Sequence, residues 1–230
     1  MTQLIDLRNA PYREVLELQR DIFNRRVELR RNGQDTGDDV IITVEHQPVY
    51  TLGRHADPRN VVHRQWLLAR GAEVVEIDRG GDVTFHGPGQ LVVYPIVDLQ
   101  RCGLGVKNYV HLLEETVILT LADYGIDSGR VEGATGVWLG IGTPTERKIC
   151  AIGIRCSRFI SMHGLALNIS TDLSWFSAIN PCGFTDKGVT TLYQEMLSRS
   201  AHQGCDYNLP LLDEVAQSLR IRLANLLGLK

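Results

Sequence analysis

Three strand-like stretches follow one another in the middle of the chain, GVWLGI (136–141), KICAIGIRCS (148–157) and HGLALNIS (163–170). A doubly wound parallel sheet needs a helix after each strand, so an unbroken run of strands argues against that architecture. Helical patterns frame the run. In YREVLELQRDIFNRRVELRR (12–31), Val15, Leu16, Gln19, Ile22, Phe23 and Val27 recur at helical spacing, and Gly33 follows as a stop. KNYVHLLEETVILTLADY (107–124) gives a second amphipathic helix ended by Gly125. Pro210 opens a third, with Leu212, Val215, Leu219, Leu223 and Leu226 on one face and Gly228 after it. Before the central run, VIITVEH (40–46) and AEVVEIDR (72–79) read as strands around a short helix at WLLAR. LVVYPIVDL (91–99) is a central strand or a buried connection. The expectation is an α+β fold, a mixed β-sheet flanked by helices, in a single domain spanning residues 1–230.

Composition narrows the function. With 43% apolar and 22% charged residues, the chain is ordinary globular material. A net charge of −3 argues against nucleic acid as the main partner, which would ask for a basic stripe. The arginines at 25, 26, 30 and 31 read first as a solvated helix face. The N-terminal MTQLIDLRNAPYREV lacks the basic-then-apolar pattern of a signal peptide, and no apolar run nears a membrane span. The five cysteines are odd in number and contain no C-x-x-C pair, which fits free thiols in the cytoplasm.

RGGDVTFHGPGQ (79–90) holds four glycines in twelve positions. It lacks the lysine of a P-loop, and it runs into a strand-like segment where a dinucleotide fingerprint would open a helix. A phosphate cradle is poorly supported; a glycine turn or a backbone wall for a flat or elongated ligand remains. No metal site is expected: His86, His163 and Cys182 lack metal-ligand spacing. No serine sits in a G-x-S-x-G elbow.

Among the thiols, Cys102 and Cys205 give no catalytic signal. Strand alternation in KICAIGIRC puts Lys148, Cys150, Ile152, Ile154 and Cys156 on one face, so Cys150 and Cys156 read as core. The same alternation aims Lys148 at the apolar side of its strand, where it is either desolvated or snorkels to the surface. Cys182 lies between Pro181 and Gly183 in SAINPCGFTDKGVTTL, in a turn that can hold its side chain out into a cleft. Thr191 and Gln194 place a helix start soon after it. Structural use, a nucleophile, and a Cys–His hydrolase dyad with His163 or His86 all remain open on these residues alone.

RGGDVTFHGPGQLVVYPIVDL, EGATGVWLG, KICAIGIRC, HGLALNI and INPCGF together resemble the bacterial lipoyl(octanoyl) transferases, in family order across residues 79–184. The resemblance implies a fold similar to biotin- and lipoate-protein ligase catalytic domains. It also implies transfer of an octanoyl group from acyl carrier protein to a lysine of lipoyl domains of 2-oxoacid dehydrogenases or of the glycine-cleavage H protein, with no cofactor. By motif, Cys182 matches the nucleophile that forms an acyl thioester, and Lys148 the lysine that lowers its pKa. The acyl-binding segments match Arg79, Gly80, Gly81, Asp82, Val83, Thr84, Phe85 and His86; Ala151, Ile152 and Gly153; and Gly164, Leu165 and Ala166. His163 and His86 are candidates to relay the acceptor's proton. Cys150 departs from the family pattern, which has a smaller residue there, and is a candidate oxidation partner. The rival readings are an ATP-dependent lipoate or biotin ligase on the same fold, whose R-R-x-x-G-G-G or G-R-G-R-x-G motifs are missing, a non-catalytic acyl-binding protein, and a cysteine thioesterase.

Overall fold

The computed structural model describes residues 2–62, 64–179, 188–203 and 208–229. Its main sheet takes the order β1–β2–β6–β10–β9–β8–β7, built from β1 (Thr2–Ala10), β2 (Asp39–His46), β6 (Gln90–Ile96), β7 (Gly129–Val131), β8 (Ala134–Leu139), β9 (Arg147–Ser157) and β10 (Ile160–Asn168). A two-residue strand, β11 (Gly188–Val189), pairs in parallel with the start of β9, beyond the end of the β10 ladder. The β1–β2 pair is also parallel and the other pairs are antiparallel, so the sheet is mixed. A second, three-stranded sheet runs β4–β3–β5, from β3 (Val49–Leu52), β4 (Glu73–Glu76) and β5 (Val83–His86).

LVVYPIV is apolar throughout because both of its faces are covered. Leu91 and Val93 join a core with α3 (Val106–Asp123), α4 (Leu192–Gln203) and α5 (Leu212–Leu227), while Val92, Tyr94 and Ile96 face α1 (Tyr12–Arg31). A third cluster, around Tyr50, Phe85 and Trp175, fills the small sheet against α2 (Arg64–Ala69) and a 3-10 turn at Leu173–Ala178. Two connections pass from one sheet to the other, β2 to β3 and β5 to β6. RGGDVTFHGPGQ is therefore a crossing between sheets: DVTF pairs with β3, and the turn closed by Gln90 N to Gly87 O (3.2 Å) delivers the chain into the main sheet.

Of the four arginines of α1, Arg25 and Arg31 are exposed as expected of a solvated face, while Arg26 and Arg30 are not. Arg26 is 3% exposed and donates to Asp39 at 2.7 Å, and Arg30 pairs with Asp98. Such a buried pair adds little by itself, but removing one partner typically costs about 3–5 kcal/mol. These two side chains hold α1 to the ends of β2 and β6 and are not free to dock a partner. No described helix is long and apolar enough to cross a membrane.

Candidate active site

Where the two sheets meet, the structure encloses a cavity of about 370 Å³, within the size range of small-molecule sites. Of the residues singled out in the sequence, Arg79, Gly81, Asp82, Val83, Thr84 and His86 line it from the crossing segment. Ala151, Ile152 and Gly153 line it from β9, and His163, Gly164, Leu165 and Ala166 from β10. Lys148 is also in its wall. Two residues of the crossing segment are not. Phe85 turns the other way and stacks on Trp175 at 5.1 Å, and Gly80 donates its N–H to Ile154 O at 2.9 Å, stitching the loop to β9. Gly153 makes that stitch possible: a Cβ on it would lie 2.8 Å from Gly80 O and 3.0 Å from Arg79 Cδ. The glycines of this region serve the approach of loop to strand as much as space for a ligand.

Lys148 corrects the alternation argument. Trp138 pairs with Lys148 and Val137 with Cys150, so Ile149 is an extra residue on β9, a β-bulge. Both Ile149 and Cys150 pack into the helical core, and the bulge returns Lys148 to the cavity side, the face opposite Cys150. The Lys148 ammonium donates to Thr135 O at 3.1 Å and lies 4.5 Å from the Trp138 ring centroid. A carbonyl and an aromatic face both suit a cation. Gly136 gives the lysine stem its passage; its φ is +125°, and a Cβ there would lie 3.3 Å from Lys148 Cε and 2.5 Å from Cys150 O. Cys150, fully buried, has its thiol pushed up to about 12 by desolvation, which removes it as a ready oxidation partner.

The polar groups around the cavity are largely paired with one another. Arg79 donates to Thr51 O and Oγ1 at 2.8 and 3.0 Å. Gln90 Nε2 donates to Asn168 Oδ1 at 2.9 Å, so Gln90 Oε1 accepts from His86 Nδ1 at 2.7 Å. His86 Nε2 is left to face Thr51 Oγ1 at 3.4 Å. Asn168 then donates to Thr190 O, and Thr190 N to Lys148 O, at 3.1 and 3.0 Å. One chain of hydrogen bonds thus runs from Arg79 to the main chain of Lys148. Burial holds His86 neutral, at about 3, and His46 neutral, at about 4. His46 meets the Tyr94 hydroxyl at 2.9 Å, and the Tyr12 ring stacks on His86 at 5.9 Å.

The two histidines expected to relay the acceptor's proton, His86 and His163, each have a partner of their own. Both nitrogens of His86 face partners. His163 pairs across the sheet with Ile154, which at strand spacing is roughly 15–20 Å along β9 from Lys148. There it meets Asp78 Oδ1 at 2.9 Å through Nε2. Burial lowers its pKa against the opposing pull of Asp78, whose own pKa falls to about 2 chiefly through this bond. His163 lines the end of the cavity away from Lys148. Cys182 lies outside the described residues, but chain on either side of it lines the cavity: Phe176 before it, Gly188 and Val189 after it. Val189 is the register partner of Lys148. Sequence reasoning missed Tyr12, Gln90, Tyr94, Trp138 and Asn168. For Gln90, Val92 and Tyr94 the signal was available, since their period-2 spacing marks one face of a strand.

The site is thus a cavity between two sheets with a lysine in its wall. The chain belongs to the lipoyl protein ligase A/B catalytic domain family, whose model matches residues 11–204. Among its relatives, the octanoyltransferase of Bacteroides thetaiotaomicron is 49% identical over 230 residues, covering 100% of this chain and 96% of the relative. That of Flavobacterium johnsoniae is 49% identical over 200 residues, 84% of this chain and 86% of the relative. Among solved structures, a bipartite lipoate protein ligase from Thermoplasma acidophilum superposes with a TM-score of 0.65 at 15% identity, covering 100% of this chain and 86% of that one. A lipoate-protein ligase A bound with ATP gives 0.65 at 14% identity, covering 100% and 85%. At that identity these two speak for the fold alone.

Proposed function

We propose that this chain is a cytoplasmic octanoyltransferase that moves an octanoyl group from acyl carrier protein to a lysine of lipoyl-bearing acceptor domains, those of 2-oxoacid dehydrogenases and the glycine-cleavage H protein. The observation that carries this reading is the cavity between the sheets, with Lys148 at one end beside Val189, seven residues after Cys182. Burying the six methylenes and the methyl of an octanoyl tail is worth on the order of 5 kcal/mol. That binding energy is available to orient the thioester.

In the mechanism, the Lys148 ammonium stabilises the Cys182 thiolate, whose unassisted thiol would be mostly protonated at neutral pH. The thiolate attacks the thioester carbonyl of the donor, and the carrier thiolate leaves and takes up a proton. Exchange of one thioester for another is close to isoenergetic, so no ATP is consumed. The neutral amine of the acceptor lysine then attacks the Cys182 thioester. An amide forms, the C–S bond breaks, and Lys148 gives its proton to the departing Cys182 thiolate and takes up the amine's. Backbone N–H groups by the glycine segments stabilise the oxyanion in both steps.

The test is intact-mass spectrometry after incubation with octanoyl carrier protein, without ATP, with and without an acceptor domain. The wild-type chain is expected to gain one octanoyl group and lose it to the acceptor. Cys182→Ser is expected to gain none, and an adduct on that variant overturns the assignment. Lys148→Arg keeps the charge but cannot give up its proton at neutral pH. It retains substantial first-step acylation if Lys148 acts as a charge there, and loses it if Lys148 is a base.

A further inference from the structure

We infer that Glu114 is a positioning residue for Lys148, acting through the main chain of residues 134–136. This deepens the proposed mechanism and rests on Lys148 taking part in the transfer. Glu114 stands on α3 and is 5% exposed, an unusual place for a carboxylate. Its neighbours on the same helix, Leu113, Val117 and Leu121, belong to the apolar core. Its two oxygens divide their work. Oε1 accepts the Gly136 N–H at 3.1 Å, and Oε2 accepts Arg130 Nε at 2.9 Å and faces His111 Nδ1 at 3.4 Å. Arg130 is held in turn by Glu115 Oε2 and His111 O, at 2.7 and 2.9 Å.

The segment that Glu114 grips is the collar around Lys148. Ala134 O accepts the Trp138 indole N–H at 2.9 Å, Thr135 O accepts Lys148 Nζ, and Gly136 lies against the lysine stem. Three consecutive residues thus fix the ring, the acceptor and the passage that define where the ammonium sits. A buried carboxylate is costly unless its oxygens are satisfied, and here one of them is spent on the collar's main chain. Removing it frees Thr135 O to drift with Gly136, and a displacement of about 1 Å at a reacting group can cost about 100-fold in rate.

The experiment compares Glu114→Ala, Glu114→Gln and Lys148→Ala in octanoyl transfer, with the alkylation rate of Cys182 by iodoacetamide at pH 7 measured by peptide mass. Glu114→Ala is expected to lower kcat about 10- to 100-fold with KM for the acyl donor within about threefold, and to slow Cys182 alkylation in parallel. Glu114→Gln still offers an oxygen to Gly136 N–H and is expected to recover most of kcat. If Glu114→Ala proves insoluble, Glu114→Asp, one methylene too short to hold both partners, is expected to show the same fall in kcat. A folded Glu114→Ala or Glu114→Asp enzyme with wild-type kcat overturns the inference, as does Glu114→Gln failing as badly as Glu114→Ala. Lys148→Ala separates the two levels. If it transfers at the wild-type rate, the role of Lys148 itself has failed. If it is inactive while Glu114→Ala is unimpaired, only the role of Glu114 has.

Discussion

Replacing Gly153 by alanine sets a methyl group 2.8 Å from Gly80 O and 3.0 Å from Arg79 Cδ, where the crossing segment is stitched to β9. The φ of Gly153 lies outside the left-handed region, so the backbone accepts alanine and the cost is one of packing. Bringing the Gly80 contact to ordinary van der Waals range requires a shift of about 0.6 Å. That shift pulls on the two bonds from Arg79 to Thr51. Overpacking of this kind costs about 1–3 kcal/mol, and relieving the glycine entropy penalty in a strand returns about 0.5–1 kcal/mol. The net expectation is a loss of about 1–2 kcal/mol, or about 2–8 °C in Tm for a chain of this length. Because Arg79, Gly81, Thr84 and His86 form one wall of the cavity, kcat/KM for octanoyl transfer is expected to fall about tenfold in the same variant. Gly33→Ala is the control: φ is +69° and open space surrounds it, so it costs stability and leaves transfer unchanged. If Gly153→Ala melts and transfers like the wild type, the loop is not held to β9 by this contact and the account of the wall is wrong.

Acyl length should matter by methylene: at about 0.8 kcal/mol each, hexanoyl transfer should run about 15-fold below octanoyl in kcat/KM, and equal rates would show that the tail is not enclosed. Stability should fall with acidity below pH 6.5, because His46 and His86 are buried neutral with folded pKa values of about 4 and 3. In that range the unfolded chain binds the extra protons, so each residue withdraws about 2 kcal/mol between pH 7 and 5; thermal melts that stay flat across the interval refute it. The Asp78 carboxylate, held at about 2, has the same sign but is lost only as pH falls from about 4 towards 2. Cys150, with its thiol near 12 and no exposure, should resist iodoacetamide at pH 7 in the native protein and react only in denaturant; native labelling there would contradict its place in the core.

What the sequence disclosed about the fold follows from what it encodes locally. The helices at 12–31 and 107–124 appear within a residue of their expected bounds because each has a continuous apolar stripe and a glycine stop. The central strands appear because both of their faces are buried. β1 was illegible for the opposite reason. It is an edge strand with Leu4 exposed, and charged residues blur its alternation. AEVVEIDR contracts to Glu73–Glu76, the four residues that pair with β3, because its last residues turn into the loop that joins β4 to β5.

The site divides along the same line. Segments carrying several cavity residues in a row could be marked from motifs, yet the direction of each side chain could not. Phe85 sits within the marked run and faces a different cluster, and His163 lines the cavity at the end away from Lys148. Lys148 is the most telling case. Period-2 alternation gave it the face of Cys150, and one inserted residue, Ile149, reversed the assignment. A register rule is only as good as the unbroken ladder beneath it. Nothing in KICAIG marks a bulge, because Ile149 is as good a core residue as its neighbours. The signal lies 35 positions upstream, in Glu114, a carboxylate set among core leucines and valines, and in Gly136, whose φ only glycine adopts readily. Residues out of keeping with their own element, here an acid in an apolar helix face and a glycine in a strand, point to Lys148 more directly than the strand that carries it.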